Sequence, residues 1–350
     1  MRISVKFSSA RLMLTLLLCG MSVILLENYN LAANQSLASR MLSIASGVGL
    51  CIVLFLPAAI LRKNKNADIC DVLKRKNRVT KTVFAVIFAV YLIFTSEYFL
   101  LKYTDMFTKK YYTEAPEWLI AVLFLAVCAY AAYRGANAVT RFSIFLFGLA
   151  LIVYALIFGG AVGELKFSGE ELGGGCDGFI NDLLFFVTPS FAAVIFSLTS
   201  GYTEKFRLRH IFISGAALAA FFAAEEIFER FALGAYANQQ EYRFFLLSKI
   251  QRLGEIKGME AMYMAVVTTS VFCLIALSVC AVNYTAGGNV LLNSLVFPVI
   301  LLVLHFCATS FISVREILSS VLVLDIFSAV ALAAILLLAV GYPNERRNHA

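Results

Sequence analysis

The sequence predicts an all-α polytopic membrane protein with ten transmembrane helices. Three observations carry that reading. Of 350 residues, 61% are hydrophobic and only 15% charged, whereas soluble domains sit nearer half apolar and a quarter charged. Mean hydropathy is +0.84. The apolar residues fall in repeated runs of about 20, the length that crosses a bilayer as helix, and not in the ~10-residue alternating segments of a membrane barrel.

Ten spans follow: 10–26, 41–61, 82–102, 118–134, 142–162, 183–202, 210–230, 258–282, 289–309 and 316–340. The opening, MRISVKFSSARLMLTLLLCG, has the basic lead and apolar core of a signal peptide, and LLLC hints at lipidation of Cys19. Leu18 is not the small residue that cleavage wants, and the apolar run continues to Leu26, so a retained first helix is expected.

The basic residues set the orientation. With both termini cytoplasmic, the inner segments hold Arg2, Lys6 and Arg11, the eight Lys and Arg of RKNKNADICDVLKRKNRVTK (62–81), Arg134, Arg141, Lys205, Arg207, Arg209, Arg346 and Arg347. The only acids beside them are Asp68, Asp71, Glu204 and Glu345. The net charge of +7 therefore reads as loops beside anionic lipid and not as a nucleic-acid surface. The chain is expected to be one membrane domain over 1–350, with no stretch polar enough for a separate soluble unit.

Catalytic and metal chemistry find no footing. There is no CxxC and no Cys/His cluster, and the three histidines are scattered at 210, 305 and 349. GGGCDG (173–178) is glycine-rich but does not fit a strand-to-helix phosphate loop. No Ser, Cys or His stands with a base at catalytic spacing. No enzyme, no metal and no cofactor are expected.

Function is sought where helices depart from plain hydrocarbon, because a polar or interrupted helix in lipid needs a partner or a cavity. Span one carries Gly20 and Ser22, either a packing contact or a point of unusual backbone. Glu97 in span three and Asp325 in span ten are intramembrane carboxylates. They are candidate proton- or ion-coupling groups, unless each simply bonds a neighbouring helix. In span six, LLFFVTPSFAAVIF, Pro189 removes a donor. The result is either a kinked packing helix or a discontinuous one whose free backbone binds a small ligand. Glu225, Glu226 and Glu229 share a face at the end of span seven beside Arg230, as a solvated helix end or as a cation or partner site. Thr268, Thr269 and Ser270 bring hydroxyls to mid-depth in span eight, for bonding back to their own helix or for a ligand.

The run QQEYRFFLLSKIQRLGEIKGMEAMYM (239–264) is too charged to span and too apolar for a solvated loop. As a helix over about 242–253 it puts Tyr242, Leu246, Ile250 and Leu253 on one face with Phe245 beside them. Arg243, Lys249 and Arg252 fall off that stripe, as in a helix lying in the membrane interface, and Gly254 and Gly258 end it.

Three stretches carry a family likeness: AYAAYRGANAVTRFSIFLFGLAL (129–151), YRFFLLSKIQRLGEIKGMEAMYMAVVTTSVF (242–272) and ISVKFSSARLMLTLLLCG at the start. In their order and spacing the chain resembles the spore germination permease family, the B-type membrane subunit of nutrient germinant receptors, within the amino acid–polyamine–organocation transporter superfamily. Two family features are absent. Leu25, Leu26 and Glu27 stand where a proline usually follows the span-one glycine, and the only tryptophan is Trp118, not one in span eight.

The resemblance implies a LeuT-like fold of two inverted five-helix repeats, 1–162 and 183–340, with helices one and six broken around a central pocket. It implies that spans one, three, six and eight line that pocket, through Gly20, Met21 and Ser22, Ser96 and Glu97, Pro189, Ser190 and Phe191, and Thr268 and Thr269. Backbone near Gly20 and Ser190 would meet the charged ends of an amino acid, and Met21 and Phe191 would shape its side-chain space. The 242–253 helix becomes an outer lid. The expected role is nutrient sensing in the cell membrane or spore inner membrane, with A-type and C-type receptor subunits as partners. The alternatives are a proton- or sodium-coupled amino acid transporter, with Glu97 or Asp325 as the coupling group, and a structural assembly subunit with a vestigial pocket.

Overall fold

In hydrocarbon a backbone must bond to itself, so apolar runs of this length form helix. The computed structural model describes residues 7–26, 36–65, 68–111, 113–166, 178–204, 206–234, 242–250, 252–253, 256–286 and 290–340. It has ten helices long and apolar enough to cross a membrane: span one Ser9–Leu26, two Leu37–Lys63, three Arg78–Lys110, four Glu117–Arg134, five Ala136–Glu164, six Phe179–Thr199, seven Arg209–Leu233, eight Glu260–Ala286, nine Val290–Ser310 and ten Val321–Val340. Every expected span is present. The tenth starts later than expected, because Ile312–Leu318 forms a separate short helix before it. Arg2, Lys6, Gly254 and the basic tail lie outside the described residues.

Local chemistry explains the joints. Span four ends and span five begins at Gly135, whose φ of +93° is closed to most side chains. An added Cβ there meets nothing within 4 Å, so the requirement is conformational and not steric. In the basic loop, Asp68 caps the short helix Ile69–Lys74 by accepting from the Asp71 amide at 2.6 Å. Asp68 also receives the Tyr284 hydroxyl of span eight at 2.8 Å. Burial pushes the Asp68 carboxyl above its ordinary range. At Asp71 burial acts in the same direction, but the bond and charge of Lys74 outweigh it and hold that carboxyl low.

Burial sorts the spans into two groups. Spans one, eight, six and three are 78, 72, 67 and 56% enclosed, and the other six only 28–44%. The enclosed four form the centre. They are the four that the family resemblance assigns to a pocket. Around them, exposed apolar side chains such as Leu123, Phe145, Ile152, Val303 and Leu337 give the outer spans a surface suited to lipid tails.

Prolines alone do not break these helices. Pro57 and Pro298 lie inside spans that continue through them. Span six differs: helix Phe179–Val187 gives way to a 3-10 turn at Thr188–Ser190 and resumes at Phe191–Thr199. The break expected in span one is not seen, since Ser9–Leu26 is one continuous helix. No proline interrupts it, a single glycine costs a helix only ~1 kcal/mol, and the Ser22 hydroxyl donates to the Cys19 carbonyl at 2.6 Å instead of freeing the backbone.

The charged run forms a helix over Arg243–Ile250, shorter than the expected 242–253. Residues Arg252–Leu253 and Ile256–Lys257 pair as two-residue antiparallel strands. The expected apolar stripe is corrected as well. Tyr242 and Phe245 are buried as expected, but Phe244, Leu247 and Ser248 are buried too, whereas Ile250 is exposed. The reason is a docking surface of rings. Phe244 lies 5.2 Å from Tyr154 and 5.5 Å from Tyr263, and Phe245 lies 5.9 Å from Tyr111. The helix packs against protein through that face.

Candidate functional site

The site is built around the turn in span six. Pro189 has no N–H to offer the Phe185 carbonyl, so the Thr188 amide is shared between Leu184, in the α-helical manner, and Phe185, in the tighter 3-10 manner. The Phe191 amide turns to Thr188 and Pro189. Span two packs against this turn. The Cys51 thiol points at the Phe186 and Val187 carbonyl oxygens from 3.6 and 3.4 Å. One helical turn earlier, a Cβ on Gly47 would lie 2.5 Å from Phe186 Cβ and 2.9 Å from its carbonyl carbon. Only a glycine lets span two lie this close to the interrupted backbone.

Three other spans reach the same turn. Gly20 of span one faces it, with its would-be Cβ 3.8 Å from Pro189 and 3.3 Å from Leu218. The half-buried Asp325 of span ten comes near the Thr188 side chain, whose hydroxyl donates to the Leu184 carbonyl at 3.4 Å. Phe191 stacks edge-on against Phe99 of span three at 5.2 Å. Among the expected residues, Gly20, Pro189, Ser190 and Phe191 therefore converge, and Met21 is fully buried in the same core.

The remaining expected residues form a second cluster on spans three and eight. Thr268 and Thr269 donate to Met264 and Val266 of their own helix, at 2.7 and 2.9 Å. Thr268 also lies 3.3 Å from the Tyr103 hydroxyl of span three. The Ser96 and Ser270 hydroxyls are buried with no hydrogen-bond partner among the described residues. Glu97 is fully buried and its Oε1 lies 3.0 Å from Nδ1 of His305 in span nine, itself fully buried. Phe99, one turn below Tyr103, joins the two clusters.

At the end of span seven the glutamates are not a solvated helix end. Glu225 is fully buried and accepts from the Tyr154 hydroxyl at 2.7 Å. Glu226 lies 3.1 Å from Arg230 and 3.9 Å from Arg40, and Arg40 pairs with Asp182 at 3.0 Å. The solvated alternative fails because Arg40 and Asp182 arrive from the starts of spans two and six, and the Arg243–Ile250 helix lies beside them. Burial pulls the Arg243 guanidinium below its ordinary value, with Glu229 and Glu226 opposing that shift.

Sequence reasoning missed Gly47, Cys51, Arg40, Asp182 and His305. For His305 the signal was available, since an ionisable residue within an apolar span is a functional hypothesis by default. Gly47 and Cys51 stand four apart on one helix face, but nothing in the sequence says that this face meets span six. No group of His, Cys, Asp and Glu among the described residues is arranged to hold a metal ion.

The fold and site define a multi-pass helical membrane protein with an interrupted central helix. The family model described as spore germination protein matches residues 4–169, which take in spans one to five. Over that stretch the match bears out the spore germination permease family that the sequence resembles. A search of curated proteins found no match.

Proposed function

We propose that this chain is the membrane subunit of a spore nutrient germinant receptor and binds a small nutrient, an amino acid, at the interrupted turn of span six. The observation that carries the reading is the meeting of spans one, two and ten on that turn, with Phe99 of span three against Phe191 beside it. Backbone groups at a helix irregularity, if released as the turn opens, suit the charged ends of an amino acid. Met21 and Phe191 offer it apolar surface, and Ser96 and Thr268 offer hydroxyls. Binding favours the state in which the turn closes over ligand, and it shifts the bundle only as far as ligand affinity differs between the two states. A-type and C-type subunits read that shift in the spore inner membrane. The crowd of basic residues between Arg62 and Lys81 supports cytoplasmic termini.

Replacement of Gly20 or Ser190 by Trp tests the assignment. In spores carrying either variant, the subunit is expected to assemble and the nutrient response to be lost. Normal assembly with a full response would overturn the site.

A coupled amino acid transporter is the second reading, favoured by the half-buried carboxylate Asp325 of span ten, which packs on the turn. Substrate-driven uptake into liposomes of the purified protein would support it, and saturable binding without uptake would support the receptor.

A further inference from the structure

Glu97 and His305 sit on spans three and nine with neither side chain exposed, and their near atoms are 3.0 Å apart. Their far atoms, Oε2 of Glu97 and Nε2 of His305, have no hydrogen-bond partner among the described residues. The other ionisable groups on the elements packed against these spans are engaged elsewhere or neutral. Arg315, on the short helix before span ten, lies 2.6 Å from Asp105 and 3.4 Å from Glu117. Glu316 follows it on the same helix, and Lys109 pairs with Asp105 at 2.9 Å. Asp325 of span ten is half-buried near Thr188 at the span-six turn. Cys19, Cys128 and Cys273 are buried thiols on spans one, four and eight, and Tyr263 of span eight donates to the Leu25 carbonyl. Lys102 of span three lies over the Tyr98 ring at 5.6 Å, and the charge of Arg315 acts on His305 from a distance; no described ion pair joins either cation to Glu97.

We infer that Glu97 and His305 form a buried proton-binding site that holds one proton across their contact. The charge balance dictates that number. With one proton the pair is neutral overall, either as carboxylic acid and imidazole or as carboxylate and imidazolium. With none it is an isolated buried anion and with two an isolated buried cation, and both are costly where water is excluded. The proton is therefore kept across neutral pH and leaves when spans three and nine part. The site takes a proton and no larger ligand, and it does not depend on the nutrient reading.

Folding then takes up one proton above about pH 6.5, where a free glutamate and a free histidine hold none between them. Stability falls as pH rises through that range, by a further tenfold in the unfolding constant per pH unit. The test is reversible unfolding of the full chain in mixed micelles from pH 7 to 9, for wild type, Glu97→Gln, His305→Gln and the swap Glu97→His with His305→Glu. Glu97→Gln leaves only an imidazole, neutral in both states above pH 7, and is expected to remove that tenfold step; His305→Gln leaves a buried carboxyl that keeps its proton, so it and the swap are expected to retain the step. A Glu97→Gln profile parallel to wild type, or a swap as flat as Glu97→Gln, overturns the site. Should a single variant not fold, ¹⁵N-histidine spectra of the wild-type protein decide. His305 is expected to keep one protonation state from pH 5 to 8, and titration at an ordinary midpoint of about 6.5 overturns the proposal.

Discussion

Replacing Gly47 by Ala probes the contact that shapes the site. The added methyl would stand 2.5 Å from Phe186 Cβ and 2.9 Å from the Phe186 carbonyl carbon. Carbon atoms rest at about 3.5–4.0 Å, so span two must draw back by about 1 Å. The obstacle is backbone and cannot rotate away. Overpacking of this kind costs about 1–3 kcal/mol, or roughly 5- to 150-fold in the unfolding constant. The retreat would also carry the Cys51 thiol, now 3.4 Å from the Val187 carbonyl, out of reach. Gly49, two residues along the same helix, is the control, because a Cβ there meets nothing within 4 Å. Gly49→Ala should be neutral or stabilising by up to ~1 kcal/mol through helix propensity. Thermal unfolding of the two purified variants in one detergent reads the difference. Equal stability would show that span two does not lie on the interrupted backbone as described.

Other outcomes follow from the same structure. Arg40→Met strands the buried Asp182, with which it pairs at 3.0 Å, and should cost about 3–5 kcal/mol; adding Asp182→Leu should recover much of it, as a melting series of the three variants would show. Gly135→Ala should lose about 1–3 kcal/mol in the same assay, from its φ of +93° alone. Burial raises the Asp68 carboxyl, so its share of stability is fully present below the ordinary aspartate value of ~3.9 and is lost as pH rises through the higher folded value. Asp68→Asn keeps the cap and the Tyr284 bond; it should flatten stability against pH above 4 and be no weaker than wild type at pH 8. A clear loss at pH 8 would mean that the charged form is the favoured one.

The number and order of the spans were legible because hydrocarbon forces every backbone group into helix and makes length a direct readout. Pro189 was legible as an irregularity, seen as the 3-10 turn Thr188–Ser190, yet Pro57 and Pro298 show that proline alone does not decide. The difference lies in Gly47, Cys51 and Asp325, which reach the turn from other spans, and pairing between spans leaves no local periodicity to read. The expected break at Gly20 failed for the converse reason, since glycine without proline leaves the helical bonds intact. The glutamates of span seven read as solvated because their partners, Arg40, Asp182 and Tyr154, lie far away in sequence. In the charged run the helix was legible, and Tyr242 and Phe245 were buried as expected, but the rest of the buried face shifted to Phe244 and Leu247, because aromatic side chains of spans five and eight and Tyr111 at the end of span three decide which side docks.

The central claim is that a nutrient binds at the span-six turn. Its most direct test is the melting temperature of the purified chain against a panel of amino acids, for wild type and Ser190→Trp side by side. The account predicts a saturable rise in wild type with at least one amino acid and none in a folded Ser190→Trp protein. An equal rise in both, or no rise with any amino acid, would contradict it.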